Sequence, residues 1–130
     1  MKVLNFEDSV YKANAIRKIL GNRCGVASVE QASNVEDGLK MLKDAENAGE
    51  PFNLIITDMH FPMRSGAISD TEAGEKLVQI LQAQGNQTNI IVCSSRNMKL
   101  PGVYGCIWYS EISDWEEELC DLVREMEKSK

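Results

Sequence analysis

The chain has 130 residues, 43% of them apolar and 26% charged, proportions of a water-soluble globular unit with one core and no room for two substantial ones. A formal charge of −6 with no basic stripe excludes a nucleic-acid backbone as partner, because that binding rests on clustered Lys and Arg. No apolar run approaches the roughly 20 residues of a membrane span and Glu7 comes too early for a signal peptide, so the expected location is cytoplasmic, away from membranes.

The first strand is expected over Lys2-Val3-Leu4-Asn5-Phe6, closed by Glu7-Asp8. Val10, Ala13, Ile16 and Leu20 then recur at helical spacing, with Gly21 as a stop. Residues 25–32 alternate weakly, as a half-exposed edge strand does. Val35, Leu39, Leu42 and Ala45 mark a second helix capped by Asn34, and Gly49-Glu50-Pro51 breaks the chain after it. The apolar run Phe52-Asn53-Leu54-Ile55-Ile56-Thr57 reads as a buried strand and ends at Asp58.

Ser69-Asp70-Thr71-Glu72 matches a capping box, so a third helix is expected from Ser69, burying Ala73, Leu77, Ile80 and Leu81. Strands follow at Thr88–Cys93 and Val103–Trp108. A second capping box, Ser113-Asp114-Trp115-Glu116, opens a last helix whose Trp115, Leu119, Leu122, Val123 and Met126 share a face, with Lys128 and Lys130 near its C-terminal end. No repeat or linker interrupts this order, so residues 1–130 are expected to form one domain. Alternating strands and helices imply a parallel sheet covered on both faces, because parallel strands need crossover connections.

Two neighbouring parallel strands ending in Glu7-Asp8 and in Asp58 bring three carboxylates to one rim, where open α/β sheets bind their ligands. Such a cluster calls for a cation. The competing reading is structural: Asp8 or Ser9 would simply cap the first helix. His60, the single histidine, has no metal-ligand partner in the sequence and is expected to be an exposed loop residue. Cys24, Cys93, Cys106 and Cys120 form no CxxC pair; they are expected to be small buried apolar residues, not a disulfide framework or zinc site.

Glu7-Asp8 after the first strand, Asp58 after the third, Ser94 after the fourth and a five-strand βα count resemble the receiver domain of bacterial two-component response regulators. The resemblance implies a doubly wound, flavodoxin-like five-stranded parallel sheet of order 2-1-3-4-5. It implies that Asp58 accepts a phosphoryl group from a histidine kinase or phosphotransfer protein, with Ser94 as the hydroxyl that meets the phosphoryl oxygens. Mg²⁺ would be held by Glu7, Asp8, Asp58 and the backbone carbonyl of His60. A carboxylate can attack phosphorus when a metal offsets the incoming charge, and Mg²⁺ favours oxygen ligands. The expected role is signalling to a downstream protein partner, not enzymatic turnover.

Three features depart from the family pattern. Tyr109 stands where the family has a lysine after the fifth strand, leaving Arg96 or Lys99 as the cations that could reach the site. The link from Ser95 to Gly105 leaves no room for a full fourth helix, and residues 63–68 lengthen the loop after Asp58. The missing lysine and the shortened fourth helix support an alternative, a phosphorylation-independent pseudo-receiver that acts through protein contacts. A haloacid-dehalogenase-type hydrolase would need a second carboxylate where His60 stands, and a flavodoxin would need a hydroxyl-rich phosphate loop after the first strand.

Overall fold

Leu54, Ile55, Ile56 and Thr57 are all buried because the strand they form, β3 (Leu54–Thr57), has a neighbour on each edge and a helical layer on each face. In the computed structural model, which describes residues 1–128, β1 (Lys2–Phe6) pairs with β3 on one side and with β2 (Ser28–Ala32) on the other. The short elements β4 (Phe61–Pro62) and β5 (Ser69–Asp70) pair with each other, antiparallel and outside the main sheet. Beyond β3 lie β6 (Asn89–Ser94) and β7 (Gly105–Trp108). The main sheet is therefore all-parallel with order β2-β1-β3-β6-β7, as the expected 2-1-3-4-5 order requires once the small hairpin is set aside.

Helices α1 (Val10–Cys24) and α4 (Trp115–Lys128) cover one face, where Ile16, Leu20, Trp115, Leu119 and Val123 pack on Val3, Leu54, Ile56 and Ile91. Helices α2 (Val35–Asn47) and α3 (Ala73–Ala83) cover the other, around Leu4, Phe6, Ile55, Phe61 and Leu77. Gly38 of α2 lies directly on the Phe6 ring, a spot where a Cβ would collide. Asn34 caps α2 by accepting from the Asp37 amide at 2.8 Å, as expected.

Several expectations are corrected. Ser69 and Asp70 are strand residues paired with Pro62 and Phe61, so the lengthened loop is a hairpin and α3 starts only at Ala73. The Asp70 carboxylate does accept the Glu72 amide (2.8 Å), but as a turn contact ahead of the helix. Ser113 does not cap α4 either; its hydroxyl donates back to Trp108 O (2.6 Å) and to Ser110 O (3.0 Å). Val10 is 68% exposed and lies outside the core.

Cys24 and Cys120 form a disulfide that ties the end of α1 to α4, correcting the expectation that no disulfide forms and that all four cysteines are small buried apolar residues; Cys93 is free and buried, and Cys106 is free and half-buried. No helix forms between Ser95 and Tyr104, as the short link implied. Lys130 lies outside the described residues. Among the described residues no helix is long and apolar enough to cross a membrane.

Candidate functional site

The ladder of the main sheet runs one step past its strands and fixes the acids. Asp58 N–H donates to Phe6 O at 3.0 Å and Glu7 N–H to Ala32 O at 2.9 Å, so the two residues leave adjacent strands side by side. Carboxylate oxygens of Glu7, Asp8 and Asp58 lie within 4.8 Å of one another, at the C-terminal edge of the sheet. The three differ in environment: Glu7 is buried, Asp58 half-buried and Asp8 exposed.

Local bonds orient two of them. Glu7 Oε2 accepts from the Ser9 amide (3.1 Å), and Ser9, not Asp8, caps α1 by accepting from the Lys12 amide (3.3 Å). Asp58 Oδ1 accepts from the Met59 amide (2.7 Å), while no hydrogen bond from the described residues reaches Oδ2. Behind this loop, Gly74 packs against the Asp58 carbonyl and Met59, where a Cβ would collide.

Into this cluster reaches Lys12, a residue that the sequence did not single out. Its ammonium lies 2.8 Å from Glu7 Oε1 and 3.3 Å from Asp58 Oδ1, and it donates to Cys93 O at 2.6 Å. The contact with Glu7 Oε1 is an ion pair between two buried groups, whose attraction depends chiefly on their separation. The ammonium also lies 5.2 Å from the centre of the Tyr109 ring, which itself packs on Trp115 with centroids 4.9 Å apart.

Burial pushes the Glu7 carboxyl up from its ordinary value, opposed by the nearby Lys12 charge. Burial also works to lower the Lys12 pKa, but Glu7 and then Asp58 outweigh it, so the net direction is upward and the group stays an ammonium. The Cys93 thiol beside it is pushed up to about 12 by burial, and Tyr109 is raised chiefly by burial.

The remaining candidates fall around this centre. Tyr109 directly follows β7, and its amide donates to Ser94 O at 2.7 Å. Ser94 closes β6 and is buried, its hydroxyl oxygen accepting from the Arg96 amide (3.1 Å). His60 is exposed in the loop after Asp58. Of the two cations that could reach the site from the β6–β7 link, the Arg96 guanidinium donates instead to Thr71 O (3.0 Å), and Lys99 is an exposed loop residue with no ion pair among the described residues.

A signal for Lys12 did exist in the sequence. At 3.6 residues per turn, Lys12 lies about 40° around α1 from Ile16, whereas Val10 lies about 120° away. The buried stripe is accordingly Lys12, Ala13, Ile16 and Leu20. Val10 is apolar but lies off that stripe, whereas the charged Lys12 lies on it.

No protein-family model and no curated protein matches the sequence. Solved structures match across nearly the whole chain. The receiver domain of a Francisella response regulator aligns over 99% of this chain and 98% of its own, with TM-score 0.73 and 19% identity. The N-terminal domain of an uncharacterized protein from Wolinella succinogenes aligns over 99% and 94%, with TM-score 0.72 and 18% identity. The phosphorylated cyanobacterial phytochrome response regulator RcpA aligns over 98% and 91%, with TM-score 0.69 and 14% identity. At these identities the likeness speaks to fold: the chain has the receiver-domain fold, as the sequence resemblance implied.

Proposed function

We propose that the chain is a receiver module of two-component signalling in which Asp58 accepts a phosphoryl group from the phosphohistidine of a histidine kinase or phosphotransfer protein. The observation that carries this reading is the joint placement of Glu7, Asp8 and Asp58 at the C-terminal edge of a receiver-type sheet, with Asp58 Oδ2 unbonded. In the transfer, an Asp58 carboxylate oxygen forms the O–P bond as the P–N bond to the donor imidazole breaks. The bonding pair goes to the imidazole nitrogen, which takes up a proton.

The donor set suits Mg²⁺: carboxylate oxygens of three residues close together, one of them the buried Glu7 Oε1 that has no hydrogen bond. Glu7, Asp8, Asp58 and the His60 carbonyl would hold the ion, which when bound supplies positive charge against the incoming phosphoryl oxygens. This chain's own residues do the rest. The Met59 amide fixes Asp58 Oδ1, Lys12 places a positive charge beside it, and Ser94 supplies a hydroxyl at the end of the neighbouring strand. The output is a protein–protein contact that reads the state of Asp58.

A second reading, the phosphorylation-independent interaction module, is favoured by one specific observation: Lys12 already pairs with both Glu7 and Asp58. Intact mass after incubation with acetyl phosphate and Mg²⁺ separates the two. The receiver reading expects one added phosphoryl group in the wild type and none in Asp58→Asn. An unmodified wild type leaves the interaction module standing, and labelling that survives in Asp58→Asn removes the assignment of the acceptor.

A further inference from the structure

Lys12 is doubly disfavoured where it stands. It is the third residue of α1, close to the positive end of the helix dipole, and its side chain is only 8% exposed. A lysine so placed needs strong compensation, and the ammonium has it from three oxygens: a hydrogen bond to Cys93 O and ion pairs with Glu7 Oε1 and Asp58 Oδ1. The Tyr109 ring closes a further side of the charge.

Two of those partners, Glu7 and Asp58, belong to the carboxylate cluster that suits a divalent cation. With the cluster ionised, its three carboxylates carry −3, which the ammonium reduces to −2 before any metal arrives. A metal must therefore share Glu7 and Asp58 with a cation that the chain itself supplies. Because the lysine is tethered, its local concentration does not depend on the surrounding solution.

We propose that Lys12 is the built-in counter-ion of the acid cluster, competing with a divalent cation for Glu7 and Asp58. This rests on the receiver reading for the identity of the competing ion, but not on whether Asp58 is ever phosphorylated. In the resting protein the ammonium relieves the repulsion among the acids. Metal loading has to loosen its contacts with Glu7 and Asp58, and the Cys93 carbonyl retains it nearby.

The test uses the whole chain and Mg²⁺ alone. Wild type and Lys12→Met are titrated by calorimetry, with melting temperature followed in parallel. The variant is expected to bind Mg²⁺ on the order of tenfold more tightly, the scale of losing one close charge pair. In wild-type protein carrying ¹⁵N-lysine, the Lys12 ammonium signal is expected to move along the same isotherm as Mg²⁺ binding.

Equal Mg²⁺ affinity in the two proteins, or an ammonium signal that stays put at saturation, overturns the proposal and leaves the receiver reading intact. Binding in the variant but not in the wild type supports the proposal and removes Mg²⁺ from the native site. Binding in neither defeats both. If Lys12→Met does not fold, the ammonium titration of the wild type decides alone.

Discussion

The two faces of the sheet are built differently. Under α2 and α3 the layer is mostly apolar, with Phe6 and Phe61 at its centre and Gly38 admitting the Phe6 ring at close range, and its buried polar residues at the strand ends, Thr57 and Ser94, are neutral. Under α1 and α4 the apolar layer ends at the strand tips in Lys12 and Cys93, and a disulfide joins its two helices. Asn5, buried on β1 at the same side-chain parity as Val3, adds a carbonyl oxygen with no hydrogen-bond partner. One face is ordinary packing. The other carries buried charges, Glu7 and Lys12, that packing alone does not favour, and it is the one that supplies the cation of the candidate site.

The largest expected effect of disturbing this asymmetry is at Lys12. Removing one partner of a buried ion pair strands the other, so Lys12→Met is expected to cost about 3–5 kcal/mol in chemical denaturation. Adding Glu7→Gln should recover part of that loss, because it removes the stranded charge. A double variant no more stable than Lys12→Met would mean that the pair is not what holds this end of α1.

Next is the disulfide. Its two cysteines are 96 residues apart, and cutting such a cross-link is expected to lower stability by about 2–4 kcal/mol when unfolding is followed with and without reductant. Cys24→Ala should reproduce the loss and abolish the response to reductant. On the opposite face, Gly38→Ala drives a methyl into the Phe6 ring and is expected to cost about 1–3 kcal/mol. Labelling of Asp58 in the folded fraction should stay at the wild-type level, since that face lies outside the cation's contacts.

The smallest effect at neutral pH is that of Cys93, which appears only as a slope at alkaline pH. Below pH 9 its thiol is neutral in both states and contributes nothing. Above that, the unfolded thiol ionises while the folded one keeps its proton until about pH 12, so stability falls across this window. The slope from this single group is at most about 1.4 kcal/mol per pH unit, and Cys93→Ala should flatten the wild-type curve by that amount. Parallel curves would show that the thiol is not held neutral by the α1/α4 layer.

Much of this was legible in the sequence because it rests on local patterns. Apolar runs ending in Glu7-Asp8 and Asp58 gave the strands and the acidic rim, and the short Ser95–Gly105 link gave the missing helix. The hairpin was hidden because Ser69-Asp70-Thr71-Glu72 fits both a helix cap and a turn, and only the pairing of Phe61 with Asp70 decides between them. The Cys24–Cys120 bridge joins residues whose proximity exists only once α1 and α4 share a face. Lys12 was hidden by its chemistry: a lysine on a helix ordinarily faces water, and the carboxylates that hold it inside come from two other segments of the chain.

The departure at Tyr109 also changes its meaning. Its position after β7 lacks the family's lysine, yet the ring there packs beside an ammonium that arrives from α1. The most direct test of this account is the rate at which acetyl phosphate labels Asp58 in wild type and Lys12→Met, both folded and at saturating Mg²⁺. A charge-assisted contact worth about 1.5–3 kcal/mol in the transfer corresponds to a slowing of roughly ten- to a hundredfold in the variant. That slowing is the result expected, and equal rates would show that the Lys12 charge takes no part in the chemistry at Asp58.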